Sequence, residues 1–435
     1  MVIHAAMSMV IFVIPASARF LMLIGIIYFL VRVLANRNRK DEVLLGAAYI
    51  MGFEVLARMT SGSFSYEFAK YGVMGFMVLG MIYRGIDRNA WPYFLFILCL
   101  VPGVLFSAMN LNYGTSVAGA ISFNISGPVC LAITALYCYN RRMPLKRLEE
   151  ILLAALLPIL TMTAYLYVYT PNIRDSLYGT SSNFVTSGGF GPNQVATVLG
   201  LGMFILFVRL FLVKNRLVNI IDLGLLGFVS YRAIVTFSRG GVVTAILCAG
   251  VFLIVYYMSM NFRTQKQLIP KIILVSVVLV VTWVVTSIST LGLIDKRYTN
   301  QDAAGRLKED ITTGRGELID AEMAAFYENP ITGVGIGKVK EYRYEKTGRV
   351  SATHNEMSRT MSEHGFFGLI SLIILTLTPL LYRIKNRSNY LLFSFWIFWI
   401  FTINHSSMRL SAAAFIYGLC LITIINVKKT AVRRK

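Results

Sequence analysis

The stretch Ile272–Leu293, IILVSVVLVVTWVVTSISTLGL, decides the fold class of this chain, because it contains no acidic or basic residue. As a helix it would rise about 33 Å, which matches the roughly 30 Å of hydrocarbon in a bilayer. Two further windows, Ala90–Ala108 and Ile151–Tyr169, have the same character. Barrel strands would alternate polar and apolar residues, and these windows do not. They predict membrane-spanning helices.

The composition extends this prediction to the whole chain. Of the 435 residues, 56% are hydrophobic and only 14% are charged, which excludes a soluble globular domain. We predict an all-α polytopic membrane protein with about 12–14 transmembrane helices. Pro15 and Arg19 interrupt the first apolar run, which is either one tilted helix or an interfacial helix plus a span. The predicted spans are approximately 9–34, 43–60, 66–83, 90–108, 113–138, 148–169, 193–213, 217–237, 240–259, 269–292, 365–384, 389–407 and 410–427.

The net charge of +21 could indicate nucleic-acid binding, but its distribution along the chain argues against it. The basic residues cluster in every second short connection, as the positive-inside rule requires of cytoplasmic loops. The long segment 295–363 holds 11 Lys or Arg against 12 Asp or Glu, so it adds nothing to the excess. We therefore predict a cytoplasmic C-terminus, with the segments near 170–191, 238–241, 293–364 and 404–409 outside. The basic clusters are Arg37, Arg39 and Lys40; Arg84 and Arg88; Arg141, Arg142, Lys146 and Arg147; Lys214 and Arg216; Arg263 and Lys266; Arg383, Lys385 and Arg387; and Lys428–Lys435.

The chain divides into three parts by this pattern. Residues 1–292 are expected to form a transmembrane bundle, 293–364 a periplasmic loop with helices, and 365–435 the C-terminal transmembrane helices with a basic cytoplasmic tail. Within the loop, Gly314-Arg315-Gly316-Glu317 opens an apolar-periodic run that stops at Asn329-Pro330, which predicts a helix. A second helix is predicted from Thr353-His354-Asn355-Glu356, a capping box with Thr at the N-cap and Glu three residues on. Gly365 either closes that helix or marks its junction with the next span.

Arg239 is a candidate anion-binding residue in the short turn Phe237-Ser238-Arg239-Gly240-Gly241. Its side chain is expected at the outer membrane face, and the glycines would let the backbone approach an anion. Arg232 lies seven residues earlier, about two helical turns deeper, and two guanidiniums suit a diphosphate. The alternatives are a snorkelling anchor for Arg239, and for Arg232 a buried ion pair with Glu54 or Asp222.

Two further candidates lie in the loop. Arg315 stands at a helix N-terminus, where the dipole favours an anion, and the alternative is an ordinary solvated turn residue. His354, in the first turn of its helix, is expected to keep a neutral imidazole that can act as a base; the alternative is a surface histidine. Glu356 is expected to be a cap rather than a catalytic acid. Asn193, after Pro192 at the start of a span, favours a structural role.

The sequence contains no usable Walker, dinucleotide-binding, HExxH or GxSxG motif, which argues against ATP-driven transport and those hydrolase classes. The five cysteines lie in or beside apolar segments without metal-ligand spacing, so they are expected to be packing residues.

Taken in order, these pieces resemble the O-antigen ligase and polymerase superfamily of bacterial membrane glycosyltransferases. The resemblance covers about Gly188 to Gly368. It rests on Gly189-Phe190-Gly191-Pro192-Asn193, Ser238-Arg239-Gly240-Gly241, Gly314-Arg315, Asn329-Pro330, Gly333-Val334-Gly335-Ile336-Gly337, His354-Asn355, Glu363-His364-Gly365 and Gly368.

The resemblance implies a GT-C-like inner-membrane enzyme that moves a glycan from undecaprenyl diphosphate to an acceptor hydroxyl at the periplasmic face, without cofactor or metal. It makes Arg239 and Arg315 the diphosphate clamp and His354 the residue that orients or deprotonates the acceptor, with inversion at the anomeric carbon. It adds Arg232, Asn193 and Asn355 as residues that contact the diphosphate or the glycan.

Three functions stay open at this point. A ligase would use lipid A-core as acceptor in lipopolysaccharide biosynthesis, and it is the leading hypothesis. A polymerase would use a second lipid-linked glycan. A transporter of lipid-linked sugars is disfavoured, because the outer charge is concentrated in one loop and no inverted repeat is evident.

Overall fold

The computed structural model describes residues 1–112, 115–309, 314–348 and 353–425, and the chain in them is essentially all helical. The only strands there, Arg142–Met143 and Thr423–Ile424, form one short parallel pair. The helices are α1 (Val2–Val13), α2 (Ser17–Asn36), α3 (Glu42–Met59), α4 (Phe68–Arg84), α5 (Trp91–Asn110), α6 (Val117–Cys138), α7 (Leu145–Tyr169), α8 (Pro192–Leu212), α9 (Arg216–Ile234), α10 (Arg239–Met258), α11 (Phe262–Ser289), α12 (Leu293–Tyr298), α13 (Arg315–Glu328), α14 (Lys338–Thr347), α15 (Glu356–Lys385), α16 (Leu392–His405) and α17 (Ser411–Leu419).

The centre of the bundle is α3, which is buried along nearly its whole length between α2, α4 and α7. Gly52 of α3 lies directly against α7, where a side chain would come within 2.3 Å of the Ala155 carbonyl oxygen. Membrane helices use such small residues because lipid gives little hydrophobic drive, so close backbone packing has to hold the helices together.

In the described part of the chain, nine helices are both long and apolar enough to cross a membrane. The prediction of a polytopic all-helical membrane protein is therefore confirmed. The first apolar run is two helices, α1 and α2, which separate around Pro15, so the alternative of a single tilted helix is wrong.

Several of the 12–14 predicted spans correspond to helices that are too short or too charged to be among these nine. The helix α3 carries Glu42, Glu54 and Arg58, α4 has 17 residues and α16 has 14. The last predicted span, 410–427, was too long, because α17 has only 9 residues and the chain then turns into the strand Thr423–Ile424. Its apolar residues are buried against α6 and α16, so they serve the protein core rather than a lipid contact.

One end of the bundle, which we call the loop end, gathers the connections α3–α4, α5–α6, α7–α8, α9–α10 and α16–α17 and the segment from α12 to the start of α15. Hydrogen bonds between these connections hold them together. The other end carries the basic clusters. The predicted basic tail, Lys428–Lys435, lies outside the described residues.

The loop segment contains both predicted helices, α13 and the start of α15. The predicted helix from Arg315 to Asn329 is confirmed, since α13 ends at Glu328. Gly365 marks a junction, because α15 continues through it with a kink at φ 58° and ψ −133°. The expected boundary between residues 364 and 365 therefore falls inside one kinked helix.

The glycine-rich turn Gly333–Gly337 docks onto this kink. Val334 N donates to Ser362 O at 2.9 Å, and Gly335 N donates to Glu363 O at 3.1 Å. A side chain at Gly333 would come within 2.5 Å of the Glu363 backbone, and one at Gly365 within 2.6 Å of the Gly333 nitrogen. These glycines are needed because two backbones touch, and the contact fixes the loop on the bundle.

Candidate active site at the loop end of the bundle

Arg239 is the first residue of α10, directly after the turn that leaves α9. The turn uses a left-handed residue, Phe237 at φ 57°, so the chain reverses within four residues. The Arg239 side chain is half-buried, and its Nη1 donates to the Arg297 carbonyl oxygen at 3.4 Å. Arg297 in turn donates a hydrogen bond from its Nε to the Phe237 carbonyl oxygen at 3.1 Å. These bonds join the α9–α10 turn to α12.

The two glycines after Arg239 serve helix packing, which differs from the expectation that they let backbone approach an anion. A side chain at Gly240 would lie 2.6 Å from the His405 ring, and one at Gly241 would lie 2.0 Å from the Ala196 carbonyl oxygen. The close packing of α10 on α8 and α16 thus explains the Gly-Gly pair.

Asn193 supports the same turn. It lies in the first turn of α8 behind Pro192, and its Oδ1 accepts a hydrogen bond from Ser238 Oγ at 2.8 Å. The N-cap of α8 is Gly191, so Asn193 does not cap the helix. His405 is buried, and its Nε2 lies 3.0 Å from Thr197 Oγ1. Asn193 therefore holds Ser238, the residue that precedes Arg239.

Arg315 begins α13 after Gly314, which takes a left-handed conformation at φ 80°. Its guanidinium is half-buried, and burial together with the charge of Arg239 lowers its pKa. The pKa of Arg297 is lowered by burial and then by Arg239 and Arg315. The pKa of Lys308 is lowered by burial and then by Arg297 and Arg239, whereas Asp302 raises it. Four cations from three segments of the chain therefore share one neighbourhood.

His354 lies close to the same group. Burial lowers its pKa to about 4, and the charges of Arg409, Arg315 and Arg343 and the ring of His405 add to this. The imidazole is consequently neutral at ordinary pH, as the sequence predicted, although desolvation and not the helix dipole is the main cause. Arg315 is thus the link between Arg239 and His354, and the structure brings the three predicted residues together.

The backbone next to His354 is held in place by the contacts of Thr353, which uses both its hydroxyl and its carbonyl oxygen. The Thr353 hydroxyl donates to Glu322, and its carbonyl oxygen accepts from Arg409 Nη2 and from Ser407 Oγ. None of the described residues hydrogen-bonds to the His354 ring itself. The backbone beside His354 is therefore held in place by the contacts of Thr353 with neighbouring side chains.

The predicted capping box is wrong in its residues. Asn355 is the N-cap of α15, and its Oδ1 accepts from Met357 N at 2.8 Å and Ser358 N at 3.3 Å. Glu356 instead pairs with Arg359 and accepts from Met408 N at 3.2 Å, so it joins α15 to the α16–α17 connection. Thr353 lies two residues before the N-cap, and its hydroxyl donates to Glu322.

Glu322 was missed by the sequence reasoning. It is fully buried on α13, and its carboxylate binds Arg343 of α14 at 2.6 Å, together with Thr353 and Ser358 Oγ. Burial raises its pKa, and these partners oppose the rise. One side chain therefore ties three segments of the loop together beside His354. A lone carboxylate among the apolar positions of a predicted helix was the available signal.

Arg409 was also missed. It stands alone between two apolar segments, a pattern that marks an ionisable residue with a specific partner. Its carbonyl oxygen accepts from Arg58 Nη1 at 3.1 Å, while its own guanidinium reaches Thr353. Arg58 also binds Gln194 at 3.1 Å. The loop around His354 is thereby connected to the transmembrane core.

Arg232 lies apart from this cluster. It is fully buried in α9, where it donates to the carbonyl oxygens of Thr170 at 3.4 Å and Thr186 at 3.1 Å and lies 5.1 Å from the Tyr167 ring centroid. The expected ion pair with Glu54 or Asp222 is wrong, because Glu54 pairs with Arg58 and Asp222 with Arg209.

A cavity of about 650 Å³ opens on the other side of Thr353. It lies between α6, α14, the start of α15 and the α16–α17 connection, and Arg343, Thr353 and Arg409 line it. Phe123 and Tyr344 add aromatic surface among polar groups. This composition suits a sugar, which offers both hydroxyls and an apolar ring face.

The comparisons with known proteins point to the same part of the chain. The family described as O-antigen ligase matches residues 223–373. This range contains Arg239, Arg315 and His354, and it leaves out Asn193 and Arg409. An uncharacterized protein of Haemophilus influenzae is 27% identical over 170 residues, which cover 35% of this chain and 40% of that protein. Residues 223–373 of this multi-pass membrane protein therefore match the O-antigen ligase family.

Proposed function

We propose that this protein is an inverting membrane glycosyltransferase that moves a glycan from undecaprenyl diphosphate to an acceptor hydroxyl, and that it acts as an O-antigen ligase on lipid A-core. The observation that carries the proposal is the convergence of Arg239, Arg315 and His354, from three separate segments, at the loop end of the bundle. The O-antigen ligase family domain supports it, because that family implies glycan transfer from lipid-linked substrates.

The proposed reaction follows from the charges at this site. The acceptor oxygen attacks the anomeric carbon, the bond from that carbon to the diphosphate oxygen breaks, and its electron pair leaves with the diphosphate. The acceptor proton passes to the neutral ring of His354. Arg239 and Arg315 stabilise the charge that grows on the leaving diphosphate, so they bind the transition state more tightly than the ground state.

The diphosphate of the bound donor would also raise the pKa of His354. Burial is the main cause of the His354 pKa of about 4, and the charges of Arg409, Arg315 and Arg343 lower it further. A diphosphate bound beside Arg315 offsets these charges and raises the pKa, so the ring becomes a stronger base when the donor is in place. The cavity beside Thr353 would receive the acceptor glycan.

We assign the remaining predicted residues to support of this site. Asn193 holds the turn that carries Arg239, Asn355 caps the helix after His354, and Arg232 braces the α7–α8 connection. We place the loop end in the periplasm of the inner membrane, because the basic connections mark the opposite end as cytoplasmic. Residues 1–292, 293–364 and 365–435 would then be bundle, periplasmic loop and C-terminal membrane part.

The direct test is glycan transfer by Arg239→Ala and Arg315→Ala in intact cells. We expect each variant to insert normally and to lose transfer. Arg306→Ala is the matched control, because Arg306 is an exposed cation of the same loop that pairs with Asp302. Normal glycolipid from both variants would contradict the proposed clamp.

A gene deletion separates ligase from polymerase, since both need a diphosphate clamp and an acceptor site. Loss of a ligase leaves long glycan chains on undecaprenyl diphosphate. Loss of a polymerase leaves single repeats attached to lipid A-core. Gel separation of the glycolipids from the deletion strain distinguishes the two, and we expect the ligase pattern.

A further inference from the structure

We propose that Arg297 and Lys308 complete the diphosphate site, so that the leaving group is held by four cations and not by Arg239 and Arg315 alone. This inference rests on the proposed function and names further residues of that same site. Neither residue belongs to the motifs on which the family resemblance rests.

Arg297 is a deeply buried cation beside the α9–α10 turn. It is only 8% exposed, and its Nε is bound to the Phe237 carbonyl oxygen. Its two Nη atoms have no hydrogen-bond partner among the described residues, yet they are not closed off from solvent. A guanidinium so deeply buried, with no carboxylate partner among the described residues, loses hydration that no described ion pair restores. An anion on these Nη atoms would restore it.

Lys308 is brought to the same place by the loop after α12. The chain turns back on itself there, with a bridge between Gln301 and Leu307 and a bond from Lys308 N to Asn300 O at 3.0 Å. Its ammonium makes no bond to the residues that the structure describes. The loop therefore returns a second cation without a described partner toward Arg297 and Arg239.

The charge of this group favours a diphosphate over a monophosphate. A polyprenyl diphosphate that carries a glycan has two negative charges, and bond cleavage leaves a terminal phosphate that gains roughly one more near neutral pH. Arg239 and Arg315 balance the two negative charges of the donor, and Arg297 and Lys308 supply further positive charge for the product, which has roughly one negative charge more. Arg297 and Lys308 thus stabilise the leaving group as it forms.

The experiment measures binding of undecaprenyl diphosphate and undecaprenyl monophosphate to the full-length protein in lipid nanodiscs. We expect Arg297→Met and Lys308→Met each to weaken diphosphate binding roughly tenfold or more, because each removes a charge-assisted contact. Monophosphate binding should fall much less. Arg306→Met is the control and should bind both lipids like the wild type.

Lys308→Met keeps the test decisive if Arg297→Met folds poorly, because the Lys308 side chain has no described partner to lose. Arg297→Lys should recover part of the diphosphate affinity, since it restores charge without the fork of two Nη atoms. Wild-type affinity in both Met variants would overturn the four-cation site and leave the proposed function intact. A wild-type protein that does not distinguish the two lipids would overturn the proposed function itself.

Discussion

At the scale of single residues, His354 owes its neutral ring to its surroundings. Desolvation is the main cause of its pKa of about 4, and Arg409 has the largest effect among the charges, ahead of Arg315, Arg343 and His405. Because the pKa is lowered, the ring is protonated only below about pH 4 and neutral above it. Its titration should set the acidic limb of kcat/KM.

We therefore expect Arg409→Gln to move the acidic limb of the pH profile upward, toward the ordinary histidine value of 6.5. Removing a neighbouring cation makes protonation of His354 easier. Arg409→Lys keeps the charge and should leave the limb in place, even if the contact with Thr353 weakens the rate. An unchanged limb in Arg409→Gln would show that Arg409 does not act on the ionisation of His354.

Glu322 is the single residue that we expect to contribute most to the stability of the loop segment. Glu322→Ala leaves Arg343 buried without its carboxylate and frees Thr353 and Ser358. Breaking a buried pair in this way costs about 3–5 kcal/mol, so we expect a lower melting temperature and faster proteolysis of the loop. Glu328→Ala is the control, because its pair with Lys346 is exposed and should contribute nothing measurable. Equal melting of the two variants would contradict this role of Glu322.

At the scale of elements, the helices were predictable from local sequence, but their contacts were not. The run from Arg315 to Glu328 predicts α13 because apolar spacing and the Asn-Pro stop are local signals. The cap of α15 was predicted at Thr353 but is Asn355, because long-range contacts position this turn. Thr353 binds Glu322, 31 residues earlier in the chain, and Glu356 binds Met408 N. The partners of Arg232 likewise come from the α7–α8 connection, and no spacing rule reports them.

The glycines of α10 give a test of helix packing. Gly241→Ala would force α10 away from the Ala196 carbonyl oxygen, so we expect a clear drop in melting temperature. Gly250→Ala, on the same helix, has nothing within 4 Å of the added carbon and should not destabilise the protein. If Gly241→Ala melted like the wild type and only lost diphosphate binding, the glycine would serve the anion after all.

At the scale of the whole molecule, the polar groups of the site come from distant parts of the chain. Arg58 on α3 binds the carbonyl oxygen of Arg409, Arg409 binds Thr353, and Arg297 binds the α9–α10 turn. The membrane bundle therefore sets the positions of the loop residues, and the loop alone would not form the site. For the proposed transfer reaction, the loop end has to face the compartment that holds the lipid-linked glycan.

The orientation can be tested by cysteine labelling, because the five native cysteines are all buried. Tyr327 is 72% exposed on α13 at the loop end, and Arg88 is exposed at the basic end. A membrane-impermeant maleimide should label Tyr327→Cys in intact spheroplasts, but Arg88→Cys only after permeabilisation, since basic connections stay in the cytoplasm. The reverse pattern would place the cation cluster in the cytoplasm. In the cytoplasm, the cation cluster could not act on a glycan donor at the outer leaflet. The reverse labelling pattern would therefore contradict the proposed transfer reaction as well as the topology.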